Sequence, residues 1–199
     1  MRFMAWIVIS IFYRIRPTGI ENIPDKGAAV VVCNHVSFID PVILGGSIRR
    51  PLRFVMYYKI FEIPVLRFFF RTAKAIPIAS ASEDEALMTA AFDQVDAELA
   101  AGNLVCIFPE GGITRDGKLQ RFRPGIEKII ARRAVPVIPV ALGRLWGSWF
   151  SRNKSGGVRR IPGRLFAKVP VMIGEAVPPQ DVSAEKLETL VRSMRGEQR

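Results

Sequence analysis

The chain has 199 residues, which predicts one domain large enough to bury a complete hydrophobic core. It carries 29 Lys and Arg against 18 Asp and Glu, a formal net charge of +11, while 49% of its residues are hydrophobic and the mean hydropathy is +0.20. A basic chain this hydrophobic is a poor match for nucleic acid, which we exclude as a partner, and a better match for an anionic membrane surface.

The first part of the chain, residues 1–16, is apolar and is predicted to lie at a membrane interface. Arg14 and Arg16 end its apolar run after about a dozen positions, short of the roughly 20 residues that a membrane-spanning helix needs. It has no small-residue cleavage site, so a signal peptide is not expected. An interfacial helix with Phe3 and Trp6 in the lipid fits the pattern, and so does an ordinary core helix.

The two cysteines, Cys33 and Cys106, lie in apolar strand-like runs. We interpret them as reduced core residues of a protein on the cytosolic side rather than as a disulfide or a metal pair. One histidine and two strand cysteines provide no ligand set for a metal ion, so neither a metal nor another cofactor is predicted.

Predicted strands alternate with predicted helices, which indicates an α/β fold: a single domain with a mixed, mostly parallel sheet flanked by helices. Turns with short extended pieces are predicted for residues 16–26, and a flexible surface loop for residues 151–162. A capping box, with Ser82 as the N-cap and Glu85 at N3, is predicted to begin a helix that ends at Gly102. The other predicted elements, in chain order, are strand Ala28–Cys33, helix Ser37–Ser47, strand Leu52–Met56, strand or crossing loop Lys74–Ala79, strand Leu104–Phe108, helix Gly125–Arg133, strand Val135–Leu142, strand Phe166–Ile173 and helix Ala184–Met194.

Residues 57–72 interleave aromatic with basic side chains and are interrupted by Pro64. An aromatic stripe of this kind is usually part of the core. The basic residues within it also suit a lipid-facing surface, and the sequence leaves both interpretations open.

The only histidine of the chain, His35, stands directly after a predicted buried strand, and Asp40 follows five residues later. A lone histidine is more often structural than catalytic, so this pair needs support from the rest of the chain. A second predicted strand runs into Glu110 and two glycines, which allow close backbone approach to an anionic group. Because sites in open α/β sheets form beyond the carboxyl ends of strands, we expect His35, Asp40 and Glu110 to meet in one cleft.

The helical geometry adds a condition to this prediction. Five residues along a helix correspond to about 500° of rotation, which would place His35 and Asp40 on different faces. The two side chains can therefore meet only if the motif straddles the start of a helix.

Three motifs, in this order, make the chain resemble the glycerolipid acyltransferases, the lysophosphatidic-acid-acyltransferase-like family. The resemblance covers the span from about Gly19 to Gly174. The motifs are the His-x-x-x-x-Asp box at Asn34–Asp40, the Pro-Glu-Gly box at Phe108–Gly111 and the Val-Pro-hydrophobic-Pro box at Val135–Val140.

This resemblance implies that residues 17–199 form an acyltransferase domain. The implied reaction moves a fatty acyl group from acyl-CoA or acyl-carrier protein to the hydroxyl of a lysophospholipid such as lysophosphatidic acid. Together with the basic, apolar composition and the reduced cysteines, the resemblance predicts a peripheral protein on the cytoplasmic face of the cell membrane.

The resemblance also implies roles for the motif residues: His35 as general base, Asp40 as its holder, and Glu110 and Gly111 in the acceptor site. The chemistry agrees, because a hydroxyl attacks well only when a base takes its proton, and a carboxylate fixes the imidazole tautomer. An acyl-serine route through Ser37 is not required. The oxyanion of the intermediate is expected to bind backbone amides that the sequence does not identify.

Two positions depart from the family pattern. Many relatives follow Pro-Glu-Gly with Thr-Arg, whose arginine binds phosphate; here Ile113 takes that arginine's place, and the next arginine is Arg115. Lys74 stands near the place of an arginine in the family's second motif. We therefore name Arg115 and Lys74 as candidate substrate-binding cations, with a solvated basic surface as the alternative for each.

The Gly-Ile-Thr variant resembles acyltransferase domains that accompany lysophospholipid transporters. A lysophosphatidylethanolamine acceptor and a transporter partner are therefore alternatives. Two other functions remain open at this point: a hydrolase or thioesterase that uses the same pair on water, and a non-catalytic basic module that docks on anionic lipid.

Overall fold

The computed structural model describes residues 13–147 and 167–196 of the chain. Its centre is one seven-stranded sheet with the order β1-β7-β6-β2-β5-β3-β4. The strands are β1 (Tyr13–Thr18), β2 (Ala29–Cys33), β3 (Leu52–Tyr57), β4 (Ile76–Ile78), β5 (Leu104–Ile107), β6 (Val137–Leu142) and β7 (Ala167–Ile173).

The neighbours β6–β2, β2–β5, β5–β3 and β3–β4 all pair in parallel, whereas β6 and β7 are antiparallel and β1 runs parallel to β7. The prediction of an α/β domain with a mixed, mostly parallel sheet is confirmed. The carboxyl ends of these five parallel strands therefore lie on the same side of the sheet, where those of β2 and β5 are neighbours.

Helices cover both faces of this sheet. They are α1 (Asp40–Ser47), α2 (Pro64–Thr72), α3 (Glu85–Ala100), α4 (Gly125–Arg132) and α5 (Ala184–Arg195), and short 3-10 turns occupy Ile20–Asn22, Tyr58–Glu62 and Pro179–Asp181. None of the helices in the two described ranges combines the length and the apolar character needed to cross a membrane.

The central strand β2 is buried along its whole length. Its side chains alternate, so Val31 and Cys33 pack in one core with α1, while Val30 and Val32 pack in the other with α3, α4 and α5. Both cysteines are free and buried, as interpreted from the sequence. A strand fixed on both faces is a rigid support for the residues that follow it.

Most predicted elements are found within one to three residues of their predicted bounds, and the exceptions have physical causes. Helix α3 is capped by Asp84, which accepts a hydrogen bond from the Leu87 N–H at 2.8 Å, so the prediction of Ser82 as the N-cap is wrong. A carboxylate is a good acceptor for the free amides of the first turn and also complements the helix dipole. The predicted partner Glu85 is the first residue of the helix rather than its third.

At the start of the described chain, β1 pairs with β7 from Tyr13 onward. The boundary predicted at residue 17 therefore falls inside a strand, and residues 16–18 are part of the sheet rather than of a turn. The interfacial helix predicted for the N-terminal segment falls mainly on residues 1–12, and the predicted surface loop on residues 151–162; both lie outside the described residues.

Candidate active site

The candidate site begins where β2 ends. Asn34, the first residue beyond the strand, is fully buried, and its side-chain amide donates to the Leu142 carbonyl at 3.0 Å. Its side-chain oxygen accepts from the Leu142 N–H at 2.8 Å. The amide thereby continues the pairing of β2 with β6 beyond Cys33 and Val140, and it fixes the direction in which the chain leaves the sheet.

His35 and Asp40 meet directly. The imidazole Nδ1 lies 2.8 Å from the carboxylate Oδ2, and Asp40 is fully buried while the histidine side chain is 17% exposed. Asp40 is the first residue of α1, so the five-residue interval is a turn that ends at a helix start. The predicted condition for their meeting is therefore met.

The same carboxylate oxygen of Asp40 also accepts the backbone N–H groups of Val36 at 2.7 Å and Ser37 at 2.8 Å. Three donors on one oxygen hold the carboxylate in a single orientation before any substrate arrives. Within the described residues its second oxygen, Oδ1, is buried without a hydrogen-bond partner. The two amides are occupied by Asp40, so they are not free to stabilise an oxyanion.

The ring of His35 is also held from the side. It stacks on Phe108, with ring centroids 4.2 Å apart and planes 20° apart. Because Nδ1 faces a carboxylate that can only accept, Nδ1 carries the proton and Nε2 presents a lone pair. Within residues 13–147 and 167–196, Nε2 has no hydrogen-bond partner, which leaves the basic nitrogen open.

Glu110, beyond the end of β5, is buried with 3% of its surface exposed. Its Oε1 accepts the backbone N–H of His35 at 2.6 Å and its Oε2 accepts the N–H of Gln120 at 2.8 Å. Burial raises the pKa of this carboxyl to about 7, although both hydrogen bonds and the nearby Arg195 charge act in the opposite direction. In this geometry Glu110 fixes the backbone on which the histidine stands.

The basic loop, residues 111–124, closes over this part of the site and carries four cations: Arg115, Lys118, Arg121 and Arg123. Thr114 donates its N–H to the His35 carbonyl at 3.0 Å, and Arg123 donates its N–H to the Pro109 carbonyl at 2.9 Å. Arg195, from the end of α5, donates a guanidinium hydrogen bond to the Gly117 carbonyl. Both ends of the loop and its middle are therefore anchored.

The predicted site residues do not all meet. His35, Asp40, Glu110 and Gly111 lie together at the carboxyl edge of β2 and β5. Arg115 is exposed on the basic loop, one residue after the amide that bonds to His35.

Lys74 lies apart from this group. It is exposed in the turn before β4, with a left-handed φ of 52°. Strand β4 is the third strand from β2, roughly 14 Å away at the usual strand spacing of about 4.8 Å. Lys74 therefore does not share the immediate surroundings of His35.

The roles of two residues of this region are not predicted from the sequence. Phe108 belongs to the Pro-Glu-Gly box, but the sequence does not predict that its ring stacks on the imidazole of His35. Arg195 has no motif of its own, and it approaches the site from a helix that follows Glu110 by 85 residues. Only the packed fold brings such residues together.

An α/β sheet whose edge holds a buried carboxylate, an open imidazole nitrogen and a glycine turn is the arrangement of an enzyme that performs acid–base chemistry. The family model described as Acyltransferase matches residues 14–143. The chain therefore belongs to the acyltransferase family.

Individual relatives agree with this assignment. The chain is 32% identical to a chloroplastic 1-acyl-sn-glycerol-3-phosphate acyltransferase of Arabidopsis thaliana, over 69% of this chain and 38% of the relative. It is 29% identical to the 1-acyl-sn-glycerol-3-phosphate acyltransferase of Pseudomonas aeruginosa, over 92% of this chain and 68% of the relative.

The fold also has a solved counterpart. A 1-acyl-sn-glycerophosphate acyltransferase from Thermotoga maritima superimposes with a TM-score of 0.71 at 23% identity, over 97% of this chain and 79% of that chain. The chain spans less than half the length of several matched relatives, including 38% of the Arabidopsis protein and 48% of one from Chlamydomonas reinhardtii. The activity of those longer proteins is therefore a hypothesis for this chain.

Proposed function

We propose that the chain is an O-acyltransferase that moves a fatty acyl group from a thioester donor, acyl-CoA or acyl-carrier protein, to the free hydroxyl of lysophosphatidic acid or a closely related lysophospholipid. The observation that carries the proposal is the His35–Asp40 pair, whose 2.8 Å contact leaves Nε2 open at the edge of the sheet. The similarity to 1-acyl-sn-glycerol-3-phosphate acyltransferases supports this acceptor.

In the proposed reaction, the acceptor hydroxyl donates its proton to Nε2 of His35 while its oxygen attacks the thioester carbonyl carbon. Asp40 stabilises the imidazolium that forms, because its charged oxygen already accepts from Nδ1. The tetrahedral oxyanion then collapses, the carbon–sulfur bond breaks, and the departing thiolate takes the proton from the imidazolium. The products are the acylated acceptor and a free thiol, and no covalent acyl-enzyme is formed.

The acceptor is proposed to lie against the turn that contains Glu110 and Gly111, next to the basic loop. Glu110 acts there as a positioning residue, since both its oxygens already accept backbone hydrogen bonds. Arg115 is exposed on this loop and its charge is suited to attract an anionic acceptor, whereas Lys74 is suited to contact only a more distant part of a substrate or the membrane.

We also propose that the protein works as a peripheral protein on the cytoplasmic face of a membrane. Phe38 is 61% exposed beside the His–Asp turn, and Ile63 and Phe68 are 49% and 67% exposed near the carboxyl end of β3. Arg67 and Arg71 are exposed on the same helix as Phe68. Apolar side chains flanked by cations match an anionic lipid surface, which is also where a lysophospholipid is found.

The test measures transfer of a labelled acyl group from acyl-CoA to lysophosphatidic acid, lysophosphatidylethanolamine and glycerol 3-phosphate. We expect lysophosphatidic acid to be the preferred acceptor. Replacing His35→Ala is expected to lower kcat by a factor of about 100 or more, because the base is lost. Sedimentation with anionic vesicles should be unchanged, since the exposed apolar residues are untouched.

Three results would contradict the proposal. Transfer that persists in His35→Ala would remove the histidine from the mechanism. Free fatty acid released at the same rate with and without acceptor would indicate a hydrolase. Vesicle binding without any transfer by the wild-type protein would indicate a membrane-binding module.

A further inference from the structure

The place at which many relatives carry a phosphate-binding arginine is apolar in this chain. Ile113 occupies it and is buried with 8% of its surface exposed. A buried aliphatic side chain offers nothing to an anion, so a phosphate at this end of the cleft needs a cation from another position.

Arg123 lies against Gly111, two residues before Ile113. A methyl group built on Gly111 would be only 2.6 Å from Cζ and 2.7 Å from Nε of Arg123, so the guanidinium fills the space that a side chain there would take. Gly111 also has a left-handed φ of 73°. The positive φ favours glycine at this position, and the absence of a side chain leaves the space in which the guanidinium lies.

The approach of Arg123 is fixed by the backbone. Its N–H donates to the Pro109 carbonyl at 2.9 Å, on the other side of Glu110 from Gly111. The next element, α4, begins two residues later at Gly125. A cation anchored in this way loses less freedom on binding a ligand than one on an unrestrained loop.

The charge of Arg123 is also uncompensated. Within residues 13–147 and 167–196 its guanidinium makes no hydrogen bond or ion pair. The only acid on the exposed part of the loop, Asp116, is bonded to Thr114 and Lys118. In contrast, Arg121 lies near Glu188, and its charge is among the causes that lower the pKa of that carboxyl.

We propose that Arg123 is the residue that binds the phosphate of the acceptor, in place of the family arginine that Ile113 replaces. This inference rests on the proposed function and names the group that selects its substrate. In lysophosphatidic acid the reacting hydroxyl and the phosphate are carried by adjacent glycerol carbons when the sn-2 position is free. The base and the phosphate-binding cation must therefore lie close together, and Arg123 contacts the residue next to Glu110, which itself bonds to His35.

A guanidinium is suited to this task because its planar fork can donate two parallel hydrogen bonds to one phosphate. Arg115 offers the same group, but within the described part of the chain its side chain makes no hydrogen bond or ion pair, and none of its atoms is among the three nearest a methyl group built on Gly111. The two arginines can be separated by experiment.

The test compares Arg123→Gln, Arg123→Lys, Arg115→Gln and the matched control Arg121→Gln. Each protein is assayed with lysophosphatidic acid and with the monoacylglycerol that has the same acyl chain but no phosphate, at saturating acyl-CoA. We expect Arg123→Gln to raise KM for lysophosphatidic acid about 10- to 100-fold, the usual effect of losing hydrogen bonds to a charged group. KM for monoacylglycerol and for acyl-CoA should change by less than about threefold, as should every KM in the control.

Arg123→Lys keeps the charge and loses the fork, so its KM for lysophosphatidic acid should lie between those of the wild type and Arg123→Gln. Equal losses with both acceptors would overturn the proposal, because they would assign Arg123 a structural role. A rise in KM for acyl-CoA alone would assign it to the phosphates of the donor. A loss in Arg115→Gln with none in Arg123→Gln would assign the phosphate to Arg115.

A binding measurement separates this inference from the proposed reaction. Titration calorimetry of lysophosphatidic acid into His35→Ala, with and without Arg123→Gln, reports phosphate binding where no transfer occurs. Weaker binding in the double variant, by about 10- to 100-fold, supports the phosphate site even if the wild-type protein transfers no acyl group. Unchanged binding would overturn it whatever the activity. Circular dichroism of each variant verifies that the fold is retained.

Discussion

The two strand ends that build the site are organised in different ways. At the end of β2, the contacts to the catalytic carboxylate span at most five residues: Asp40 accepts from His35, Val36 and Ser37 within a single turn. At the end of β5, Glu110 accepts from residues 75 positions before it and 10 positions after it, and the basic loop is tied to α5 through Arg195.

The two strand ends differ in how far along the sequence their hydrogen-bond partners lie. The β2 end forms its contacts to the Asp40 carboxylate within one turn, while β6, Glu110, Phe108 and Thr114 support the backbone and the ring beside it from elsewhere. The β5 end exists only in the packed fold, because its partners belong to distant segments. We therefore expect substitutions at the β2 end to affect mainly chemistry, and substitutions at the β5 end to affect stability and substrate binding.

After His35→Ala, which removes the base itself, the largest effect is expected from Asp40→Asn. Asparagine has nearly the same shape and its oxygen can still accept from the turn, but the negative charge that stabilises the imidazolium is lost. We expect kcat to fall by a factor of about 1,000 to 10,000. Steady-state kinetics measures the loss, and an unchanged circular dichroism spectrum verifies the fold.

Ser37→Ala is the matched control for this variant. Among residues 13–147 and 167–196, the Ser37 hydroxyl makes only a 3.5 Å contact with the Ile39 N–H, and its removal leaves the backbone donor to Asp40 in place. We expect kcat to change by less than about threefold. A loss as large as that in Asp40→Asn would favour an acyl-serine route over a histidine base.

The second prediction concerns Glu110, whose protonation is expected to make the free energy of unfolding depend on pH. Burial raises the folded-state pKa of this carboxyl to about 7 from its ordinary value of 4.5, so the folded protein retains a proton that the unfolded chain has already released. Its contribution to stability is therefore complete below pH 4.5 and is lost as the pH rises through about 7. The loss is about 3 kcal/mol at most.

Glu110→Gln removes this titration, and denaturant unfolding of both proteins between pH 4 and pH 8 measures it. We expect the free energy of unfolding of the wild type to fall relative to that of the variant across the interval from about pH 4.5 to pH 7. A difference between the two proteins that is constant with pH would show that Glu110 does not titrate in this range. Glu110 would then hold the His35 and Gln120 backbone in the same protonation state throughout this pH range.

The sequence predicts local contacts better than long-range ones, so it predicts the β2 end better than the β5 end. The alternation of strands and helices reveals the sheet because each element carries its own periodicity, and the interval from His35 to Asp40 reveals the turn because both partners lie within it. The helix cap shows the limit of local rules, since the capping-box pattern predicts Ser82 as the N-cap and the folded chain uses Asp84 instead. The stacking of Phe108 and the position of Arg123 on Gly111 depend on where separate segments pack, which no local pattern records.

The smallest effect is expected from Arg195→Gln, which tests the most distant contact of the β5 end. The variant loses the hydrogen bond to the Gly117 carbonyl, and the side chain is only partly buried. We expect the free energy of unfolding to fall by about 1 kcal/mol. Because the Arg195 charge is one of the causes that lower the pKa of Glu110, the midpoint of the Glu110 profile should also move to higher pH.

Arg192→Gln provides the comparison, since Arg192 lies on the same helix and pairs with Glu188 at its exposed side. An exposed pair of this kind contributes less than about 0.5 kcal/mol, and its loss should leave the Glu110 midpoint in place. If both variants lower the free energy of unfolding equally and move the Glu110 midpoint equally, Arg195 acts through the net charge of the helix rather than through its hydrogen bond to the basic loop. If only Arg195→Gln moves the midpoint, the last helix of the fold is coupled to the backbone that holds His35, through a carboxyl that the sequence motif alone assigns to the substrate.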